Sequence, residues 1–149
     1  MACSHHLLDP PQYPDVSGDS AQSQVQQAVS YLKSYNSKYS TFWLDIEGQW
    51  SSSKTSNQQF FENLVSEAQK LNQTVGIYTS ESQWSVIMGD SYTKGSKFPL
   101  WYAHYDNVAS FSDFKPFAGW TKPAMKQYSG DDEDCGINLD QNWAPTINY

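Results

Sequence analysis

The sequence lacks several features that would place it in other classes of protein. No apolar run reaches the roughly 18 residues of a membrane-spanning helix, and residues 1–11 lack the apolar core of a signal peptide. Basic residues are also few, nine against sixteen acidic residues, and the formal net charge is −7. Because nucleic-acid binding depends on clustered lysine and arginine, we expect neither a nucleic-acid nor a membrane partner.

Candidate metal ligands are equally scarce. The two cysteines, Cys3 and Cys135, either form one disulfide or remain two thiols. Near the first of them, His5 and His6 lack a second ligand pair at zinc spacing. The four consecutive acids at 131–134 lack EF-hand spacing, so we expect a solvated loop there. The sequence therefore predicts no metal and no cofactor.

The composition favours one compact domain. Of the 149 residues, 38% are hydrophobic and 15% aromatic, enough for a single core. Residues 1–19 contain three prolines and no periodic apolar pattern, which predicts an irregular leader. We therefore assign residues 20–149 to one domain and expect a monomer.

Hydrophobic periodicity predicts alternating helices and strands. Helical spacing of apolar residues begins after Ser20, a plausible N-cap, and stops near Asn36. A nearly continuous apolar run at 41–46 is typical of a buried parallel strand. Further segments are predicted as helices at 60–71 and 84–88, a loop at 113–120, and strands at 75–78, 100–105, 124–128 and 137–140. This order indicates α/β architecture with functional groups at the carboxyl ends of the strands.

Two acids stand at the end of the first predicted strand. Asp45 and Glu47 are two residues apart, so they share a face, about 6.5–7 Å apart along the backbone. Retaining glycoside hydrolysis uses two carboxyl groups about 5–5.5 Å apart, one of which donates a proton. We expect Glu47, further out on the strand, to have the raised pKa of that acid. From spacing alone, a solvated or metal-binding strand end is the commoner explanation.

Four motifs in a fixed order favour a catalytic role for the two acids over a solvated or metal-binding strand end. They are Trp-Leu-Asp-Ile-Glu-Gly (43–48), Val-Gly-Ile-Tyr-Thr-Ser (75–80), Pro-Leu-Trp-Tyr-Ala-His-Tyr (99–105) and Lys-Gln-Tyr-Ser (126–129). Together they resemble the glycoside hydrolase family 25 lysozymes, particularly those of protists and nematodes, from about Ser20 to the C-terminus. The resemblance implies a (β/α) TIM-barrel-like glycosidase, secreted or lysosomal/phagosomal, that acts on bacterial peptidoglycan.

The resemblance also implies roles for individual residues. Glu47 becomes the general acid/base, and Asp45 either stabilises the positive centre or orients the substrate N-acetyl group. Asp140 resembles the family's C-terminal active-site acid. The implied groove residues are Tyr78, Trp101, Tyr102, Tyr105 and Gln127. Because side chains alternate along a strand, we expect Trp101 and Tyr105, rather than Tyr102, to stack on sugar rings. The implied reaction is retaining hydrolysis of the β-1,4 bond between N-acetylmuramic acid and N-acetylglucosamine.

The sequence departs from the family pattern at its beginning. Family members start with a strand carrying Gly-x-Asp-x-Ser, whose Asp joins the catalytic cluster. Here Asp15-Val16-Ser17 lies directly before the first helix, and we interpret Asp15 as a turn residue. A closed barrel needs about 200 residues or more, so we expect an incomplete barrel without the N-terminal strands. Two alternatives follow: a catalytically impaired peptidoglycan-binding fragment or isoform, and an interaction protein without sugar chemistry.

Overall fold

The computed structural model describes residues 14–134 and 136–145, so Cys3, Cys135 and most of the predicted leader lie outside the described residues. Three α-helices, one 3-10 helix and five strands occur in these ranges. In chain order they are α1 (Ala21–Ser34), β1 (Phe42–Asp45), α2 (Lys54–Lys70), β2 (Val75–Thr79), α3 (Glu81–Ile87), the 3-10 helix (Lys94–Lys97), β3 (Leu100–Ala103), β4 (Met125–Asp134) and β5 (Ile137–Trp143).

The five strands form one sheet in sequence order, β1-β2-β3-β4-β5. The first four are parallel, and β5 returns antiparallel to β4. Parallel neighbours in sequence order, with helices in the first connections, form the wall of a (β/α) barrel. The predicted α/β, barrel-like fold class is therefore confirmed, with an incomplete wall in the described residues.

Serine side chains fix where the three α-helices begin. Ser20, Ser53 and Ser80 each accept a hydrogen bond from the backbone N–H three residues on, at 3.2–3.3 Å. Such N-caps satisfy one of the amide groups that a helix start leaves unpaired. The predicted cap at Ser20 is confirmed. The helix predicted from residue 60 begins earlier, at Lys54, because Ser53 caps a polar first turn that shows no apolar periodicity.

The hydrophobic core lies between the sheet and the helices. The face of the sheet that packs against the helices carries Leu44, Ile46 and Ile77, which are at most 4% exposed. The opposite face, which we call the open face, carries Trp43, Asp45, Tyr78, Trp101 and Gln127. None of the helices in residues 14–134 and 136–145 has the length and hydropathy to cross a bilayer.

Two further expectations have clear outcomes. The acidic run at 131–134 is not a loop, because it continues β4 and pairs with β5, for example Asp132 with Leu139. Four consecutive acids give no apolar strand signal. Asp15 is a turn residue as predicted, since its carboxylate accepts hydrogen bonds from the Ser17 backbone N–H and hydroxyl at 2.8 and 2.7 Å.

Candidate active site

Most of the predicted site residues meet at the carboxyl ends of the parallel strands, on the open face. Asp45 pairs in register with Tyr78, and Tyr78 with Trp101. Residues paired across a sheet point to the same face. The site is therefore built on four adjacent strands and on β5, which supplies Asp140.

Gln127 connects the strands of the site through its side-chain amide. Its Oε1 accepts hydrogen bonds from the hydroxyls of Tyr78 and Tyr105, each at 2.6 Å. Its Nε2 donates to Asp140 Oδ2 at 3.0 Å. The other oxygen of Asp140 accepts from the Asp131 backbone N–H at 3.1 Å. One buried amide thus fixes two tyrosines and one acid.

Asp45 has one carboxyl oxygen that is shielded from solvent. Its Oδ1 is buried and has no hydrogen-bond partner among the described residues. Burial raises the pKa of Asp45 to about 7, and the nearby charge of Glu47 adds to the effect. Both influences disfavour the ionised carboxylate. Asp45 is therefore partly protonated at neutral pH.

Glu47 stands just beyond β1, and the peptide group that joins it to Gly48 is held by two side chains. The Trp50 indole donates to the Glu47 carbonyl at 3.0 Å, and the Gly48 N–H donates to Gln83 Oε1 at 3.2 Å. Gly48 has φ of +79°, a conformation that favours glycine. Partial burial and the charge of Asp140 raise the pKa of Glu47. The pKa of Glu47 is raised as expected, and the pKa of Asp45 is raised as well.

Aromatic rings line the open face beside the acids. Trp101 makes edge contacts with Tyr78 and Trp43, with ring centroids 4.8 and 5.7 Å apart. Its indole N–H donates to Asn142 at 2.9 Å. Tyr105 is 58% exposed and stands at the rim of the site. Trp101 and Tyr105 therefore both lie close to the acids, one on the open face and one at its rim.

Tyr102 is the one predicted groove residue that the structure does not bring to the site. It is the neighbour of Trp101 on β3, so strand alternation sends it to the helix-facing side. Its hydroxyl donates to Asp113 at 2.9 Å, and its ring packs on Phe111 and Phe114. The expectation that Tyr102 lines the groove is wrong.

A charged cluster that the sequence interpretation missed lies under Tyr102. The Lys126 ammonium is fully buried and contacts the carboxylates of Asp106 and Asp113 at 2.7–2.8 Å. His104 Nδ1 lies 2.6 Å from Asp113. The three acceptor side chains lie within metal-binding distance of one another, but the ammonium already occupies the carboxylates. The cluster therefore ties the segment after β3 to β4.

The arrangement suits acid-assisted cleavage of a polar polymer. Two carboxyl groups with raised pKa values stand side by side, a third acid is held nearby, and aromatic rings border them. A protonated carboxyl beside a second one is the chemistry that glycosidic bond cleavage requires.

The chain is similar in sequence to known lysozyme-like proteins. The family model described as lysozyme-like protein 1 matches residues 11–128. Probable GH family 25 lysozyme 2 of Dictyostelium discoideum is 52% identical over 123 residues, which are 82% of this chain and 58% of that protein. Lysozyme-like protein 5 of Caenorhabditis elegans is 41% identical over 128 residues, 85% of this chain and 60% of that one. The chain thus spans less than two thirds of these relatives.

Solved structures show the same fold at low identity. The spore cortex lytic enzyme SleM of Clostridium perfringens superposes with a TM-score of 0.67 at 23% identity, covering 88% of this chain and 46% of that one. A family GH25 lysozyme from Aspergillus fumigatus gives a TM-score of 0.62 at 18% identity, over 87% and 64%. At such identities the likeness is one of fold.

Proposed function

This chain belongs to the lysozyme-like family that its family model and relatives define, glycoside hydrolase family 25, and from that premise we propose that it is a muramidase. The proposed reaction is hydrolysis, with retention, of the β-1,4 bond between N-acetylmuramic acid and N-acetylglucosamine in bacterial peptidoglycan. The observation that supports it best is that Asp45 and Glu47, two residues apart on one strand face, both have raised pKa values. Asp140 lies nearby and is held by a hydrogen bond from Gln127.

In this proposal Glu47 is the general acid and base. It lies beyond the end of β1 and is only partly buried, so it can reach a glycosidic oxygen bound along the open face. Its raised pKa favours the protonated form that the first step needs. After the leaving sugar takes that proton, the Glu47 carboxylate accepts a proton from the attacking water.

Asp45 is proposed to orient the N-acetyl group of the substrate. Its buried Oδ1 has no protein donor, and an acetamide N–H is the kind of donor that would satisfy it. Such a hydrogen bond to the charged form would lower the pKa of Asp45 on binding. The ionised Asp45 would then stabilise the positive charge that develops at the reacting sugar.

Around these acids, Tyr78 and Gln127 would position Asp140, while Trp101 and Tyr105 would stack on sugar rings. Aromatic faces provide flat apolar contacts of the kind that sugar rings use. We further propose a secreted or lysosomal/phagosomal setting, in defence against bacteria or their digestion.

The test is clearing of a bacterial cell-wall suspension by the purified chain. Glu47→Gln keeps the shape of the side chain but removes its acid, and Glu81→Gln makes the same change at an exposed position on α3. We expect wild type and Glu81→Gln to clear the suspension and Glu47→Gln to lose at least about a hundredfold in rate.

Product analysis then identifies the bond. Muramic acid at the new reducing ends, released first as the β-anomer, would support the proposed bond and stereochemistry. A wild-type chain that binds peptidoglycan but never clears it would refute the proposal and favour the impaired, glycan-binding alternative.

A further inference from the structure

The Trp43 ring lies very close to the backbone of Gly76. Trp43 lies on β1 two residues before Asp45, on the same face, and pairs in register with Gly76 on β2. A Cβ at residue 76 would lie 2.4 and 2.5 Å from two carbons of the Trp43 ring, Cε3 and Cζ3. The ring therefore lies directly across the backbone of β2, in space that any other residue would fill.

The Trp43 ring also continues the row of aromatic contacts on the open face. It meets Trp101 edge-on at 5.7 Å, and Trp101 meets Tyr78 at 4.8 Å. We call these three rings, Trp43, Trp101 and Tyr78, the aromatic floor. They lie next to Asp45 along β1 and across β2 and β3. They offer its carboxyl group no charge.

We propose that Trp43 is a positioning residue for the acid pair: held across Gly76, its ring completes the aromatic floor and keeps water away from Asp45. The proposal deepens the proposed function and rests on it for its catalytic meaning. A desolvated carboxyl holds its proton to higher pH than a solvated one. Gly76, the glycine of the 75–80 motif, would then help to keep Asp45 on the neighbouring strand protonated, because it leaves room for the Trp43 ring.

The titratable groups around the acid pair leave desolvation as the main influence on the pKa of Asp45. Glu47 on its own strand and Tyr78 on β2 interact with Asp45, while Tyr105 after β3 and Asp140 on β5 interact with Glu47. None is a cation, and Lys126 points to the other side of the sheet, where it contacts Asp106 and Asp113. Admitting water is therefore the change most able to favour the ionised form of Asp45.

The experiment compares two Gly→Ala variants that make the same kind of clash. In Gly76→Ala the new methyl group meets the Trp43 ring at 2.4 Å and the Thr41 methyl group at 2.9 Å. In Gly95→Ala it meets the rings of Trp84 and Trp120 at 2.5 and 2.9 Å. Gly95 is buried in the core away from the acids, so its variant controls for general loosening of the protein. Neither glycine has a positive φ, so alanine adds no backbone strain at either site.

The readout is the titration of the Asp45 side-chain carboxyl carbon by NMR, in wild type and both variants. We expect Gly76→Ala to lower the titration midpoint of Asp45 by about one pH unit or more, and Gly95→Ala to leave it unchanged. Within an active enzyme, the alkaline limb of kcat/KM against pH should move to lower pH in Gly76→Ala alone.

An unchanged Asp45 midpoint in Gly76→Ala, or an equal fall in both variants, would overturn the proposal. If Gly76→Ala does not fold, Trp43→Leu serves instead, since it removes the ring without crowding the backbone. A Trp43→Leu midpoint equal to that of wild type would also overturn it. Because the NMR midpoint is measured without substrate, this result is independent of whether the chain cleaves peptidoglycan.

Discussion

Replacing Asp45 with asparagine should stabilise the protein at alkaline pH and do little at acidic pH. One oxygen of the Asp45 carboxyl group, Oδ1, is buried without a partner, and the pKa is raised from 3.8 to about 7. Asparagine has nearly the same shape but carries no charge at any pH. The variant therefore removes only the cost of ionising residue 45 inside the folded protein.

The sign and size follow from the two pKa values. Between pH 3.8 and about 7 the folded protein holds a proton on Asp45 that the unfolded chain has lost, so stability falls as pH rises through this range. Each pH unit of difference corresponds to about 1.4 kcal/mol. We therefore expect Asp45 to reduce the free energy of unfolding by about 4 kcal/mol above pH 7, a cost absent below pH 4.

Urea denaturation of wild type and Asp45→Asn at pH 4 and pH 8 measures this cost. The expected result is a clear gain in unfolding free energy for Asp45→Asn at pH 8 that is absent at pH 4. Asp90→Asn, the same change at an exposed acid beyond α3, should show no such difference. Equal effects of Asp45→Asn at both pH values would refute the assigned burial of Asp45.

Other changes probe the rest of the site. Gln127→Leu should cost about 3 kcal/mol in urea denaturation, since three hydrogen bonds at about 1 kcal/mol each disappear. Gly48→Ala should lower the thermal midpoint by a few degrees and lower kcat, because φ of +79° strains alanine beside Glu47. Lys126→Met should speed hydrogen exchange over residues 104–113, whereas exposed Lys122→Met should not. In cell-wall assays, the fall of kcat/KM at alkaline pH should lie above the pH that an ordinary glutamate would give, because burial and the charge of Asp140 raise the pKa of Glu47.

The order of helices and strands was predictable because each buried element repeats its apolar residues with the right period. Val25 and Val29 mark α1, and the run ending at Asp45 marks β1. Prediction failed where polar residues form a helix turn or a strand, because they show no apolar periodicity. The first turn of α2 is polar and begins at Ser53, and the end of β4 consists of acids whose strand conformation comes from pairing with β5.

The site residues on the open face were predictable for a related reason. Alternation along β3 separates Trp101 from Tyr102, so the two neighbouring aromatics cannot both face the groove. Gln83 and Trp50 were missed because they bind the backbone, at the peptide group between Glu47 and Gly48. No local pattern marks such a contact, since Gln83 is 35 residues away from Gly48 in sequence.

The alternation of β4 also explains why the missed charged cluster matters to the site. Lys126 and Gln127 are neighbours, so one points to the helix-facing side and the other to the open face. Lys126 holds Asp106 on one side of the sheet, while Gln127 holds Tyr105 on the other. Tyr105 and Asp106 are themselves neighbours. Two consecutive residues of β4 therefore bind two consecutive residues of the segment after β3. The rim of the groove is therefore fixed from both sides of the sheet. Removing either the Lys126–Asp106 ion pair or the Gln127–Tyr105 hydrogen bond should move Tyr105 relative to the acids.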